Sequence, residues 1–184
     1  MPQEKLVSCR AIACYGEREY SVYDLTGDID RRDLVSESEA AGILSSYCNT
    51  YDDLKKEMII YQDDELFYRL LTEGIVQLSA IGEVYVSDAL KKVRVLPSPG
   101  VSVGISMGGD LLELTVSSQD MPREELMEIL SRYDRKRKFY RLKNGDFVNM
   151  EENGLESLQE VRQALQLTDK QLMQDKRMYC IGKK

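Results

Sequence analysis

Alternating apolar and polar residues in the middle of the chain predict a β-hairpin. Val101–Met107 (VSVGISM) places an apolar side chain at every second position, and Leu112–Val116 (LELTV) does the same on the return. A strand with this period turns its apolar residues to one face. Gly108-Gly109-Asp110 supplies a turn between the two runs. We therefore expect a hairpin with one buried face.

The residues after this hairpin change to a helical period. Their apolar positions recur at i, i+3, i+4 and i+7, in Leu126, Ile129, Leu130 and Tyr133. Asp120 is suited to cap such a helix, and Pro122 suits its first turn, where a missing N–H leaves no bond unmade. The sequence therefore predicts an amphipathic helix that begins near Pro122.

A second hairpin is predicted directly after this helix. Phe139–Leu142 has the composition of a strand, and Asp146–Val148 would be the return strand. Asn144-Gly145 between them favours a type I′ turn, in which both residues have positive φ. Asn153–Leu167 then carries apolar residues at helical spacing and predicts a last helix.

The first half of the chain predicts shorter elements. Its strands are expected at Lys5–Cys14, Glu19–Leu25, Met58–Tyr61 and Val84–Val86, the first two forming a hairpin around Tyr15-Gly16-Glu17. Its helices are expected at Arg31–Cys48, from a cap at Asp63 or Asp64 to an end at Gly74, and over Ser87–Lys92. Together these elements predict an α+β fold, with antiparallel β-hairpins packed against about three to five helices.

Pro97-Ser98-Pro99-Gly100 is the strongest break in the chain, because proline and glycine interrupt both helices and strands. We place a boundary there, between an N-terminal lobe of residues 1–96 and a C-terminal lobe of residues 97–167. Residues 168–184 are expected to form a polar tail or linker. A chain of 184 residues can bury a core as one domain or as two small lobes.

The composition is that of a globular protein, with 42% hydrophobic and 31% charged residues. A net charge of −7 argues against a chain that wraps nucleic acid over its whole surface. The first five residues lead into no apolar core, so we expect no signal peptide. No apolar run approaches the length of a membrane span. The location that we expect is therefore cytoplasmic.

The residue types that most enzymes use are missing or scattered. The sequence has no histidine, which excludes Ser-His and Cys-His pairs and the commonest metal ligand. The four cysteines are Cys9, Cys14, Cys48 and Cys180. They form no Cys-x-x-Cys pair, so we expect reduced thiols and no structural zinc. A phosphate-binding glycine loop is absent, and Gly104–Gly108 matches Gly-x-Ser-x-Gly only superficially, since it lies inside the predicted hairpin. We predict no catalytic residue, no cofactor and no metal.

One stretch, which we name the basic segment, differs from this background. Between residues 132 and 143, basic side chains are interleaved with aromatic ones, a composition that can contact phosphates and stack on bases. The basic residues are Arg132, Arg135, Lys136, Arg137, Lys138, Arg141 and Lys143. The alternative is a solvated helix end whose charges are balanced by Asp134 and Asp146. The basic segment is the candidate contact with a nucleic acid or a partner protein.

Several stretches together carry a family resemblance. They are Arg32–Leu44, Gly82–Leu90, Val101–Val116, Arg123–Leu126, Lys138–Phe147 (KFYRLKNGDF) and Leu155–Leu167. In these stretches the chain resembles the bacterial Swi/Snf helicase-associated domain, which precedes the motor of Swi/Snf-type DNA-dependent ATPases, mainly in Firmicutes. Lys138–Phe147 is the most specific of them. The resemblance covers most of the chain.

The resemblance implies a non-catalytic accessory region. The chain lacks a Walker A motif, an Asp-Glu-x-His motif and the zinc-binding element usually found upstream in such ATPases. We therefore expect a module that docks on the ATPase motor of the same parent chain, or modulates the motor's engagement with DNA. The alternative is a weak DNA-binding module that uses the basic segment, and an independent enzyme is the third hypothesis. Neither of the first two hypotheses involves a membrane or a small-molecule substrate.

Overall fold

The structure is a computed structural model that describes residues 6–26, 29–108, 111–134, 136–150, 155–164 and 177–180. The chain divides into two compact units, Met1–Lys92 and Val93–Lys184, named here unit 1 and unit 2. Both units combine helices with small, mainly antiparallel sheets, which confirms the α+β fold. The division comes before the Pro-rich break, because Val95–Leu96 pairs with a strand of unit 2.

Unit 1 contains a sheet of order β1-β5-β4 and a separate hairpin, β2-β3. Its strands are β1 (Leu6–Cys9), β2 (Ile12–Tyr15), β3 (Arg18–Ser21), β4 (Thr50–Asp52) and β5 (Glu57–Tyr61). Its helices are α1 (Leu34–Ser45), α2 (Asp64–Arg69), α3 (Ile75–Ser79) and α4 (Asp88–Lys91), with a 3-10 turn at Ile29–Arg31. The first predicted strand is thus two strands, because β1 pairs with β5 while only β2 pairs with β3.

Side-chain caps fix where the helices of unit 1 begin. The Asp63 carboxylate accepts hydrogen bonds from the N–H groups of Glu65 and Leu66 at 3.0 and 2.9 Å, so the predicted cap of α2 is confirmed. The Ser87 hydroxyl accepts from the N–H of Leu90 at 3.3 Å and begins α4, as predicted. Apolar side chains that are buried in unit 1 are Val22, Leu44, Tyr47, Ile60, Phe67, Tyr68 and Leu70.

Two predictions in unit 1 were wrong. Gly74 does not end a helix, because the chain continues through a π-helical turn, Leu70–Gly74, into α3. Its φ is −65°, and a Cβ there would lie 3.1 Å from the Tyr47 ring, so the glycine provides close packing and not a cap. Val84–Val86 forms no strand, and Tyr85 within it is 87% exposed.

Unit 2 contains two further sheets, of order β6-β10-β9 and β11-β8-β7. Its elements are β6 (Val95–Leu96), β7 (Val101–Gly108), β8 (Leu111–Ser118), α5 (Arg123–Ser131), β9 (Phe139–Arg141), β10 (Phe147–Asn149), α6 (Leu155–Ala164) and β11 (Arg177–Cys180). The hairpin β7–β8 is confirmed and runs from Val101 opposite Ser118 to Gly108 opposite Leu111. Its predicted turn at residues 109–110 lies outside the described residues. Part of the expected tail forms β11, which pairs with β8, and β6 runs parallel to β10.

Helix α5 supplies much of the buried core of unit 2. Leu126, Ile129 and Leu130 are at most 2% exposed, which confirms the predicted apolar face. Full burial of such side chains contributes about 1.5–3 kcal/mol each. Residues packed around this face include Val116, Met121, Met127, Tyr140, Leu142, Val148, Met150 and Leu155, with Tyr133 partly buried against them. The basic segment therefore follows directly from a helix that is packed into the core of the unit.

The predicted N-cap of α5 was wrong. Pro122 occupies the N-cap position and no side chain caps the helix. The Asp120 carboxylate instead accepts a hydrogen bond from the N–H of Gly100 at 3.3 Å, which ties the end of β8 to the beginning of β7. Asp120 lies two residues before the N-cap and bonds across the hairpin, an interaction that local spacing does not reveal.

Candidate partner-binding segment

The backbone of the basic segment is held by hydrogen bonds at its beginning and in its middle. The buried Tyr140 hydroxyl donates to the carbonyl oxygen of Arg132 and accepts from the N–H of Asp134 at 2.7 Å. The carbonyl oxygen of Lys138 accepts from the N–H of Met150 at 2.8 Å. Burial raises the pKa of Tyr140, although the N–H of Asp134 acts in the opposite direction, so the hydroxyl keeps its proton at neutral pH. The loop between α5 and β9 is thereby fastened to β9.

Two aromatic residues of the basic segment pack against the rest of unit 2. Tyr140 is buried in the core, and the Phe139 ring lies edge-on to Phe147 with 5.5 Å between centroids. Arginines of the segment cover two of these rings. The guanidinium carbon of Arg137 lies 5.8 Å from the Tyr140 centroid, and that of Arg141 lies 5.3 Å from the Phe147 centroid. Little aromatic surface therefore remains for stacking on a base.

Glu128 of α5 pairs with basic residues from both ends of the segment. Its carboxylate lies 3.2 Å from Nη2 of Arg132 and 3.1 Å from Nζ of Lys143. Both basic side chains are mostly exposed, so each pair contributes little to stability, at most about 1 kcal/mol. Their effect is to gather positive charge around one acidic side chain. Sequence reasoning missed this role, although Glu128 and Arg132 have the i, i+4 spacing of a helical ion pair.

Three consecutive basic residues form a further exposed part of the segment. Lys136, Arg137 and Lys138 are all exposed. Arg135, also a predicted contact residue, lies outside the described residues. The Asp134 carboxylate, which we expected to balance the segment's charge, accepts a hydrogen bond from the backbone N–H of Lys136 at 2.9 Å. Asp134 therefore helps to fix the conformation of the loop, and it also adds a negative charge there.

The turn that presents Lys143 differs from the predicted type I′ turn. The N–H of Gly145 donates to the carbonyl oxygen of Leu142 at 3.0 Å, and Gly145 has a φ of +98°, whereas Asn144 has no positive φ. This is the three-residue hairpin loop in which a type I turn is followed by glycine at positive φ. The Asn144 side-chain oxygen accepts from the N–H of Asp146 at 3.0 Å, which favours this conformation.

Asp146 stabilises this turn, and its main hydrogen-bond partner is Arg94. Its carboxylate is buried and accepts from the backbone N–H of Arg94 at 3.0 Å and from Nη2 of the same residue at 2.6 Å. Burial alone would raise the pKa of Asp146, but the hydrogen bonds from Arg94 outweigh it and hold that pKa below its ordinary value. The expectation that Asp146 serves to balance the basic segment was therefore wrong.

Unit 1 contains a separate buried polar cluster that sequence reasoning did not predict. The Arg32 guanidinium donates to both carboxylate oxygens of Glu37 and to the carbonyl oxygen of Asp24. The Tyr15 hydroxyl donates to the same carboxylate at 2.8 Å. The bond from Arg32 holds the pKa of Glu37 below its ordinary value. Because the charges of Arg32 and Glu37 are paired with each other inside unit 1, the cluster is suited to joining α1 to the β2-β3 hairpin.

Two kinds of feature are absent from the described residues. Within them, no three Cys, Asp or Glu side chains gather as a group that could hold a metal ion. Among the helices in the described ranges, none is both long and apolar enough to cross a membrane. The basic segment thus remains the candidate site with the clearest geometry.

Charge is distributed unequally between the two units. Residues 1–92 include ten basic and eighteen acidic residues, whereas residues 93–184 include fifteen basic and fourteen acidic residues. The net charge of −7 therefore comes from unit 1, and unit 2 is close to neutral. Within unit 2, the basic segment contacts the acidic Glu128 of α5 through Arg132 and Lys143.

Comparison with known families identifies what kind of chain carries this segment. The family model described as bacterial SNF2 helicase associated matches residues 2–178. The chain belongs to this family. As a SNF2 helicase-associated domain, it is by description a region that accompanies a helicase, and the match includes both units and the whole basic segment. No curated protein and no solved structure matches the chain.

Proposed function

We propose that this SNF2 helicase-associated domain is a non-catalytic accessory module that docks on the ATPase motor of its parent protein through the basic segment and so modulates the motor's engagement with DNA. The observation that carries the proposal is the family match over nearly the whole chain. A region named for its association with helicases, and without histidine or a phosphate-binding glycine loop, is best explained as a regulatory partner of the motor.

The geometry of the basic segment supports a protein partner. Arg132 and Lys143 are already gathered around Glu128, and Arg137 and Arg141 lie over rings of their own unit. Such a surface presents positive and negative charge in fixed positions, which suits a partner of complementary mixed charge. The loop is also rigidly fastened through Tyr140, so little conformational entropy is lost on docking.

Direct DNA binding is the second candidate function, and one observation favours it. Lys136, Arg137 and Lys138 are consecutive and exposed on a unit that is nearly neutral. Consecutive cations could neutralise phosphates, and each neutralised phosphate would contribute about −0.9 to the slope of log affinity against log salt on duplex DNA. The burial of Tyr140, the packing of Phe139 on Phe147 and the acidic unit 1 count against it, so we rank it second.

The proposal is tested in the full-length parent ATPase by reversing three consecutive charges of the basic segment. Lys136→Glu, Arg137→Glu and Lys138→Glu together are expected to change DNA-stimulated ATP hydrolysis by several-fold, because the docking surface loses its charge complementarity. Stability of the fold should change little, since exposed substitutions usually alter it by only about ±0.5 kcal/mol.

The matched control reverses three exposed lysines of unit 1, by Lys55→Glu, Lys91→Glu and Lys92→Glu. This variant has the same change in net charge and should leave DNA-stimulated hydrolysis near the wild-type rate. Equal effects of the two triple variants would show that net charge matters and not the basic segment. Wild-type hydrolysis in the first variant would contradict the proposed docking surface.

A further inference from the structure

Two cysteines that are 39 positions apart in the sequence meet in unit 1. Cys9 ends β1 and lies opposite Met58 of β5. Cys48 follows α1 and precedes Asn49, whose N–H donates to the carbonyl oxygen of Ile59 of β5 at 3.1 Å. The fold thus brings both cysteines to the same strand, where their thiols share a hydrogen bond. Both residues are partly buried and neither is in a disulfide.

The surroundings hold the two thiols in place. Tyr23 lies near both sulfurs, and its hydroxyl donates to the carbonyl oxygen of Ala41 in α1 at 3.2 Å. Its ring lies 5.6 Å from that of Tyr51 in β4. The segment after β3, helix α1 and strand β4 therefore converge around the cysteine pair. Disulfide formation would bring the two sulfurs to about 2.05 Å.

The shared hydrogen bond makes the two sulfurs chemically different. Donation from Cys48 stabilises the thiolate of Cys9 and lowers the pKa of Cys9, against the opposing effects of burial and of the Glu57 carboxylate. The same bond, together with burial, raises the pKa of Cys48. Cys9 is therefore the better nucleophile of the pair, and Cys48 keeps the proton. Cys14, by contrast, is exposed on the β2-β3 hairpin and offers an internal reference thiol.

We propose that Cys9 and Cys48 are a modification site, a thiol pair that a hydroperoxide oxidises to a reversible disulfide. The Cys9 thiolate attacks one oxygen of hydrogen peroxide and breaks the O–O bond, which gives a Cys9 sulfenic acid and hydroxide. The Cys48 sulfur then attacks the Cys9 sulfur and forms the S–S bond. The sulfenic oxygen leaves with the Cys48 proton as water, and the first hydroxide takes a proton from solvent. The two thiols lose two electrons in total, and the peroxide is reduced to two waters.

The experiment treats the folded full chain with limiting hydrogen peroxide, alkylates the remaining thiols and maps the peptides by mass spectrometry. We expect a peptide pair joined through Cys9 and Cys48, lighter by two hydrogens than the separate peptides and released by dithiothreitol. Cys9 should be consumed several-fold faster than Cys14. The proposal is overturned if Cys14 reacts as fast as Cys9, or if the disulfides formed involve other cysteines.

Two substitutions at one position separate the roles of Cys48. Cys48→Ser keeps a hydroxyl donor beside Cys9 but cannot form a disulfide, so Cys9 should stay reactive and accumulate as a sulfenic acid that dimedone traps. Cys48→Ala removes the donor, so oxidation of Cys9 should slow several-fold as well. Cys14→Ser is the matched control and should leave the Cys9–Cys48 bridge unchanged. Identical Cys9 oxidation rates in the Ser and Ala variants would refute the role given to the hydrogen bond.

Discussion

Replacing Asp146 with asparagine is expected to destabilise unit 2 by about 2 kcal/mol, because a buried carboxylate loses its charge while its donors stay in place. The carboxylate accepts from the N–H and the guanidinium of Arg94, and from the Asn144 amide at 3.2 Å. The Arg94 side chain is 65% exposed, so water screens its part of the interaction. The backbone N–H of Arg94 then accounts for most of the loss, since a hydrogen bond to a charged group contributes about 1.5–3 kcal/mol.

Urea unfolding followed by circular dichroism measures this loss as a lower midpoint at an unchanged slope. Arg94→Ala is the control, because it removes the exposed guanidinium and keeps the backbone N–H. It should cost less than about 1 kcal/mol. The reasoning is refuted if Asp146→Asn costs less than Arg94→Ala.

The stability difference between wild type and Asp146→Asn is expected to depend on pH with a definite sign. The folded pKa of Asp146 lies below the ordinary value of 3.8, since the bonds from Arg94 outweigh the effect of burial. Its contribution is therefore complete above pH 3.8 and is lost as the pH falls through the folded pKa. The difference in stability between wild type and Asp146→Asn should stay constant between neutral pH and about pH 5 and shrink in stronger acid. A difference that grows in acid would contradict the assignment.

Four further predictions concern two glycines, the buried Arg32–Glu37 ion pair and nucleotide binding. Gly42→Ala in α1 meets open space and should raise the unfolding free energy by about 0.5–1 kcal/mol in urea titrations. Gly74→Ala would place a Cβ 2.9 Å from the Leu70 side chain and should lower that free energy by about 1–3 kcal/mol in the same titrations. Glu37→Gln should lower the thermal midpoint at pH 7 far more than the exposed Glu39→Gln, and this gap should narrow below the ordinary pKa of 4.5. Calorimetry should detect no saturable ATP binding to the isolated chain at micromolar concentration, because a phosphate-binding loop is absent.

Local patterns in the sequence predicted the elements whose signals lie within one run of residues. The β7–β8 hairpin follows from strict alternation, and the buried face of α5 follows from helical spacing. The cap at Asp63 was predictable for the same reason, because a capping side chain bonds only two and three residues ahead.

Several of the failures share a physical cause, which is that the deciding partner is distant in the sequence. Asp146 bonds Arg94, 52 residues earlier, and Asp120 bonds Gly100, so neither serves the role that its neighbours suggested. β11 pairs with β8, and only this pairing makes a strand of Arg177–Cys180, within the stretch that we expected to be a polar tail or linker. In the candidate site, composition revealed the basic residues, but only the structure revealed that Tyr140 is buried.

Binding of the isolated chain to two ligands tests the central claim most directly. Titrations at physiological salt should compare the purified motor of the parent ATPase with duplex DNA, using the wild-type chain and the Lys136→Glu, Arg137→Glu, Lys138→Glu variant. We predict saturable binding to the motor that the variant weakens at least about tenfold, which is about 1.4 kcal/mol, and DNA binding no tighter than about millimolar. A dissociation constant for DNA below about 10 μM, with a steep salt dependence and no binding to the motor, would contradict the docking account.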